Sequence, residues 1–224
     1  MKLVICVKSC LEHKNLGYHE IIRGTWGKDA RALGIDVKFF MGVVDNKHYG
    51  LENDEIVVKS PDDYDNLPHK TRRICDWMSN KLYTHMFLCD NDTFLVPRLM
   101  LQSGFVGYDY VGRFGENISR PFKYDVTDRH GVTQHFDRCY PWASGGYGYF
   151  LTKRAAAEVA LEYPFTWAED LWVGQVLGPM AAVGEMFLLD TSQQKYSDHF
   201  PSAFYGGGYD PKHHWMEEQY ANRK

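Results

Sequence analysis

The 224-residue sequence predicts an α/β fold: one domain with a central mixed, mostly parallel sheet flanked by helices. Short apolar runs alternate with stretches of helical spacing, the pattern of a sheet covered on both faces. The length falls in the range of a single domain with a substantial core. A third observation places a site on that frame. The fourth apolar run ends in Asp90-Asn91-Asp92, and sheets of this class bind their ligands at the carboxyl ends of their strands.

Residues 3–7 open the fold as a buried strand, and residues 19–33 follow as a helical or turn region carrying Arg23 and Trp26. Residues 37–44 and 55–59 supply the second and third strands, the latter closed by the turn-like Ser60-Pro61-Asp62-Asp63. Over residues 67–83, Ile74, Trp77, Met78 and Leu82 recur at helical spacing and lead into the fourth strand, 85–89. Residues 108–140 are polar and irregular, which predicts a hairpin and a long surface loop of the kind that carries specificity. A helix over 153–163, a helix start at Glu169 and a last strand at 186–189 follow. The tail, 192–224, is rich in Gly, His and Tyr and reads as mobile.

Composition narrows the function. With 25 Lys and Arg against 29 Asp and Glu, a net charge of -4 and no basic run, the chain offers no field to gather nucleic acid. Aromatic residues make up 15%, several in polar, Gly-rich stretches, where flat faces suit sugar rings or nucleobases. The cysteines, Cys6, Cys10, Cys75, Cys89 and Cys139, are odd in number and read as reduced and structural; Cys6 and Cys10 lack the second pair that a zinc site needs. No apolar run is long enough to span a membrane. The expected location is cytoplasmic, or luminal if this is a catalytic domain cut from a membrane-anchored parent.

Asp90 and Asp92 flank one residue, so in an extended segment both carboxylates point the same way and can share a hard cation such as Mn²⁺ or Mg²⁺. Such an ion bridges a diphosphate and offsets the charge that builds on it as it departs. Glu169-Asp170 stands between Trp167 and Trp172. Acids favour a helix N-terminus for dipole reasons alone, but a carboxylate there also serves as a general base whose proton affinity the tryptophans raise. Ser144-Gly145-Gly146 is either a tight turn or a place where backbone N–H groups approach a ligand closely. For a third metal ligand the tail offers His199, His213 and His214, with His199 preferred and Lys212 placed near a phosphate. Among Lys70, Arg72 and Arg73 at least one is expected to face a nucleotide.

In order, these segments resemble the β-1,3-galactosyl- and β-1,3-N-acetylglucosaminyltransferases and their fringe relatives. Ile22-Arg23-Gly24-Thr25-Trp26-Gly27 is similar to that family's I-R-x-T-W-G, and 63–71, beginning Asp63-Tyr64 and ending Lys70-Thr71, to its D-x-Y-x-N-L-T-x-K-T. The D-x-D, Tyr140-Pro141 with Ser144-Gly145-Gly146, and Glu169-Asp170-Leu171-Trp172-Val173-Gly174 complete the series. The sequence departs from the pattern at Asn91, where a third acid is common, and at Pro68, where Thr is usual.

The resemblance implies a GT-A fold, Rossmann-like, and an inverting transfer from a UDP-sugar to a glycan acceptor, with Mn²⁺ or Mg²⁺. It places the base in the acid pair, on Asp170 with Glu169 beside it; the metal is expected on Asp90, Asp92 and, from the tail, His199. Arg23, Thr25, Asp63, Lys70, Asn91, Ser144, Gly145 and Gly146, with Lys212 from the tail, are expected to join Asp90 and Asp92 around the donor. Residues 1–95 form the nucleotide-binding half, and 96–224 the acceptor half and a C-terminal flap. The expected form is a stand-alone member of bacterial or viral type. Two alternatives stay open at this stage. One is a retaining enzyme of the same fold; the other is a lectin-like module that stacks sugars on Trp142, Trp167 and Trp172 and holds structural Ca²⁺ at Asp90 and Asp92.

Overall fold

The structure, a computed structural model, describes residues 1–45, 50–114, 120–199 and 211–223, with the side chains of 211–214 excepted. In chain order the elements are β1 (Leu3–Lys8), α1 (Leu11–Asn15), α2 (Tyr18–Gly24), α3 (Trp26–Ala32), β2 (Asp36–Val43), β3 (Glu55–Pro61), α4 (Leu67–Ser79), β4 (His85–Asp90), β5 (Thr93–Leu95) and α5 (Pro97–Leu101). They continue with β6 (Tyr110–Gly112), β7 (Phe122–Thr127), β8 (Thr133–Cys139), β9 (Tyr149–Thr152), α6 (Lys153–Leu161), α7 (Glu169–Ala182), β10 (Leu188–Asp190), β11 (Ser197–His199) and α8 (Pro211–Asn222).

Seven strands form the main sheet in the order β10-β6-β9-β4-β1-β2-β3. Parallel pairing joins β4, β1, β2 and β3, and β10 runs parallel to β6, while β9 is antiparallel to both β4 and β6. The sheet is therefore mixed and mostly parallel, with β1 and β4 at its centre.

Strand alternation sorts the core into two layers. Val4 and Cys6 of β1, with Met86 and Leu88 of β4, face α4, α6 and α7, where Ile74, Met78, Val159, Trp172 and Val173 cover them. Leu3, Ile5, Val7, Phe87 and Cys89 face the other way, against Ile22, Trp26, Met100 and Met216. Lys8 and Asp90 continue the first series, so the same periodicity that buries Cys6 and Leu88 points these two charges toward the N-terminus of α7.

The predicted strands and helices are present, with β10 shifted to Leu188–Asp190. The short strands β5, β6, β9 and β11 are additions that carry too few residues to show a period of two. The hairpin predicted within 108–140 is β7 paired with β8. The tail departs from expectation: β11 pairs with β5, and α8 lies on the core, with Met216 fully buried and Trp215 edge-on to Phe94. All five cysteines are free. No helix among the described residues is long and apolar enough to cross a membrane.

Candidate active site

The site lies at the carboxyl end of β4. Asp90, Asp92 and His199 bring one ligand atom each to within 4.8 Å of one another, with His199 Nε2 at 3.5 Å from Asp92 Oδ1. β5 continues from the D-x-D and pairs antiparallel with β11, in a register that sets His199 opposite Thr93. This pairing joins a histidine from the tail to two acids far away in sequence. Alternation turns Asn91 the other way: its amide donates to Ser9 Oγ at 3.0 Å and contacts Nδ1 of His13. Asn91 therefore ties the loop after β4 to the loop after β1 and stays out of the acid cluster.

Beneath the metal candidates lies a buried ion network. Lys8 Nζ donates to Glu169 Oε2 at 2.8 Å and stands 3.1 Å from Asp90 Oδ1. Glu169 Oε1 accepts from Thr71 at 2.8 Å and from the Tyr149 hydroxyl at 2.5 Å. Burial alone would lower the proton affinity of Lys8, but Asp90 and Glu169 outweigh it and hold the ammonium well above its ordinary range, hence charged. For Asp90, burial pushes the carboxyl upward, Lys8 opposes, and the charges of Asp92 and Glu169 add to the rise. Two like-charged neighbours and one cation leave this corner with a negative surplus that a divalent ion would neutralise.

Asp170 follows Glu169 in the first turn of α7, yet its environment differs. Its Oδ2 accepts the Gly145 N–H at 2.9 Å, and its Oδ1 the N–H of Leu171 at 2.8 Å. Burial and the neighbouring Glu169 raise its carboxyl above the usual range, against the pull of these two amides. The Ser144-Gly145-Gly146 segment wraps this centre. A Cβ on Gly145 would stand 3.1 Å from Glu169 Oε2 and 3.3 Å from Asp170 Cβ, and one on Gly146 only 2.7 Å from the His199 ring. Both glycines are there because the acid pair and the histidine approach the backbone closely.

Other expected donor contacts lie elsewhere. Thr25 donates its hydroxyl to Ile21 O at 2.6 Å and finishes α2, so it does not face the site. Arg23 is held by Glu20, Asp54 and Glu55; it reaches the site only through Glu55, His19 and Ser9, a hydrogen-bonded chain that ends on Asn91. Exposed Asp63 caps the turn before α4 by accepting from the Asn66 N–H. Its neighbour Asp62 is the inward acid, accepting from Gly42 N, Leu11 N and Lys70 Nζ. Lys70 is buried and also donates to Ser9 O at 2.6 Å, so its ammonium braces two loops instead of meeting open space. The side chains of Lys212, His213 and His214 lie outside the described residues.

Sequence reasoning gave no site role to Lys8, Thr71, Tyr149, Asp62 or Tyr64. Lys8 carried a signal: a lysine at the tip of the innermost strand, in register with Asp90, needs an acid partner. Tyr64 is exposed, its ring 6.3 Å from that of Trp167, and desolvation with the charges of Asp90 and Asp170 pushes its hydroxyl above the ordinary range. A cavity of about 460 Å³ opens beside the loop after β1, lined by Cys10, Leu11, Glu12, Val44 and Asp62.

Compared by sequence, the chain matches no family model and no curated protein. Compared as a structure, it aligns with a glycosyltransferase involved in the glycosylation of the major capsid of PBCV-1. That alignment has a TM-score of 0.54 and 12% identity, over 97% of this chain and 100% of the other. The fold is GT-A. A 4-diphosphocytidyl-2C-methyl-D-erythritol synthase from Anaerococcus prevotii aligns at a TM-score of 0.47 and 8% identity, over 97% of both chains. At 12% identity the likeness to the glycosyltransferase is one of fold alone, and the chemistry rests on the residues described above.

Proposed function

We propose that this protein is a metal-dependent glycosyltransferase that moves a sugar from a UDP-sugar onto an acceptor hydroxyl with inversion. The observation that carries the reading is the convergence of Asp90, Asp92 and His199 beside Asp170, at the carboxyl end of the central strand of a GT-A fold. The motif series similar to the β-1,3-transferases supports UDP as the nucleotide, and the named activity of the PBCV-1 neighbour supports glycosyl transfer.

Donor atoms on one octahedral ion stand about 3–4 Å apart. The three ligand atoms lie within 4.8 Å of one another, so small side-chain rotations bring them onto one Mn²⁺ or Mg²⁺. When bound, such an ion supplies the positive charge that stabilises the departing diphosphate. Lys8 fixes Asp90 from below, and Glu169 fixes Lys8. Glu169 has its oxygens engaged by Lys8, Thr71 and Tyr149, so it positions and does not react. Asp170 takes the proton from the acceptor hydroxyl. Its raised carboxyl, nearer neutral pH than an ordinary aspartate, suits it to that transfer. The Gly145 N–H holds its orientation. The cavity beside Cys10 and Asp62 takes the nucleoside, so that 1–95 serves the donor and 96–224 the acceptor.

The test is Asp170→Asn. Transfer falls about 10²- to 10⁴-fold while UDP binding is kept, and NMR of the wild-type product shows the inverted anomer. A wild-type rate in this variant, with loss of transfer in Glu169→Gln, contradicts the assignment of the base.

A further inference from the structure

A second cavity, of about 530 Å³, opens on the acceptor side and is lined by Arg113, Phe122, Tyr124, Trp142, Ser144 and Tyr147 among others. Its wall is aromatic by construction. Phe122 and Tyr124 alternate onto one face of β7 and meet the indole of Trp142, Phe122 stacked at 6.0 Å and Tyr124 tilted at 4.9 Å. Opposite, the Arg113 guanidinium lies 3.9 Å over the ring of Tyr147 and donates to the carbonyls of Gln194 and Ser197.

The position of Trp142 relative to Asp170 follows from one helix face. A Cβ on Gly178 would meet Tyr140 Cβ at 2.3 Å, and one on Gly174 would meet Trp142 Cβ at 2.4 Å. Gly145 in turn donates to Asp170. Residues 140–145 therefore run antiparallel along α7, over positions 178, 174 and 170, which share a face at intervals of four. At 1.5 Å per residue, Trp142 sits about 6 Å along the helix from Asp170, close to the width of one sugar ring.

We propose that this cavity is the acceptor site and that the acceptor is a saccharide, bound with the apolar face of one ring on Trp142 and a hydroxyl presented to Asp170. The inference rests on the transferase reading. A pyranose has an apolar face and a rim of hydroxyls, and the cavity offers the complement: aromatic side chains together with the polar groups of Ser144, Arg113, Tyr124 and Tyr147 in its lining. The hairpin β7–β8, which supplies half of the aromatic wall, sets which ring fits.

The experiment titrates methyl β-glycosides of glucose, galactose and N-acetylglucosamine into the full chain by calorimetry, with UDP and Mn²⁺ titrated separately. At least one glycoside binds, Trp142→Ala weakens it tenfold or more, and UDP binding with Mn²⁺ is unchanged. Tyr124→Ala, on the hairpin, weakens the same glycoside and keeps the test decisive if Trp142→Ala does not fold. Binding that is indifferent to both substitutions, or no binding by any of the three glycosides, overturns the proposal. Glycoside binding that depends on Trp142 in a chain that binds no UDP overturns the transferase reading and leaves the saccharide site standing.

Discussion

Gly146→Ala tests the metal assignment by steric means, without touching a ligand. The added methyl would stand 2.7 Å from His199 Cδ2 and 3.0 Å from Cγ and Nε2, where ordinary contact begins at 3.4 Å, so the ring has to retreat by about 0.7 Å. The backbone at position 146 lies outside the left-handed region and accepts alanine, and the His199 side chain is about a third exposed. Stability should therefore change little, while a metal bond tolerates only about ±0.2 Å. Displacing a group that orients a ligand costs about 10- to 100-fold in metal affinity, or about 1.4–2.8 kcal/mol. Mn²⁺ titration followed by electron paramagnetic resonance reads the loss, with urea unfolding of the metal-free protein as the control. Wild-type Mn²⁺ affinity in Gly146→Ala, alongside a large loss in His199→Ala, would show that the glycine does not hold the histidine against the ion. Wild-type affinity in both would remove His199 from the site.

The buried ion network makes a prediction about stability. The Lys8 and Glu169 side chains are 2% and 3% exposed, so Lys8→Met or Glu169→Gln leaves a partner charge without full compensation and costs about 3–5 kcal/mol, read as a drop in the urea midpoint. A loss under about 1 kcal/mol contradicts it. Glu55 gives a pH dependence. Burial pushes its carboxyl up, but the Glu52 N–H, His19 and Lys14 outweigh burial and draw it down to about 2, from an ordinary value of 4.5. A folded-state value below the unfolded one contributes stability that is complete above about pH 4.5 and is lost as pH falls toward 2. The difference amounts to about 3 kcal/mol, and this side chain is shielded from solvent. Urea unfolding at pH 5, 4 and 3 should decline less steeply in Glu55→Gln than in the wild type; equal slopes count against the role given to Glu55.

The central strands were legible because each is a continuous apolar run ended by a change of character, as at Val7 to Lys8 and Cys89 to Asp90. The geometry of Asp90 and Asp92 was equally legible, since alternation fixes the side on which each carboxylate emerges. Three features were hidden. β5 and β11 are three residues each, and their pairing, which brings His199 to Asp92, has no local signature. The difference in environment between Glu169 and Asp170 depends on partners from β1, α4 and β9, namely Lys8, Thr71 and Tyr149, none of which sequence proximity reveals. The third is the set of contacts made by the motif around Asp63 and Lys70, which its spacing does not reveal. Asp62 turns inward in place of Asp63, and Lys70 is enclosed by the loop carbonyl and the acid that it braces.

The most direct test of a cation held by Asp90 and Asp92 that in turn holds a diphosphate is calorimetric titration of UDP, with and without Mn²⁺, on the wild type and Asp92→Ala. The account predicts saturable binding with Mn²⁺ that weakens at least tenfold when the metal is withheld or Asp92 is removed. Equal UDP affinity under all three conditions contradicts it, and so does sugar binding supported by Ca²⁺ in a protein that ignores UDP.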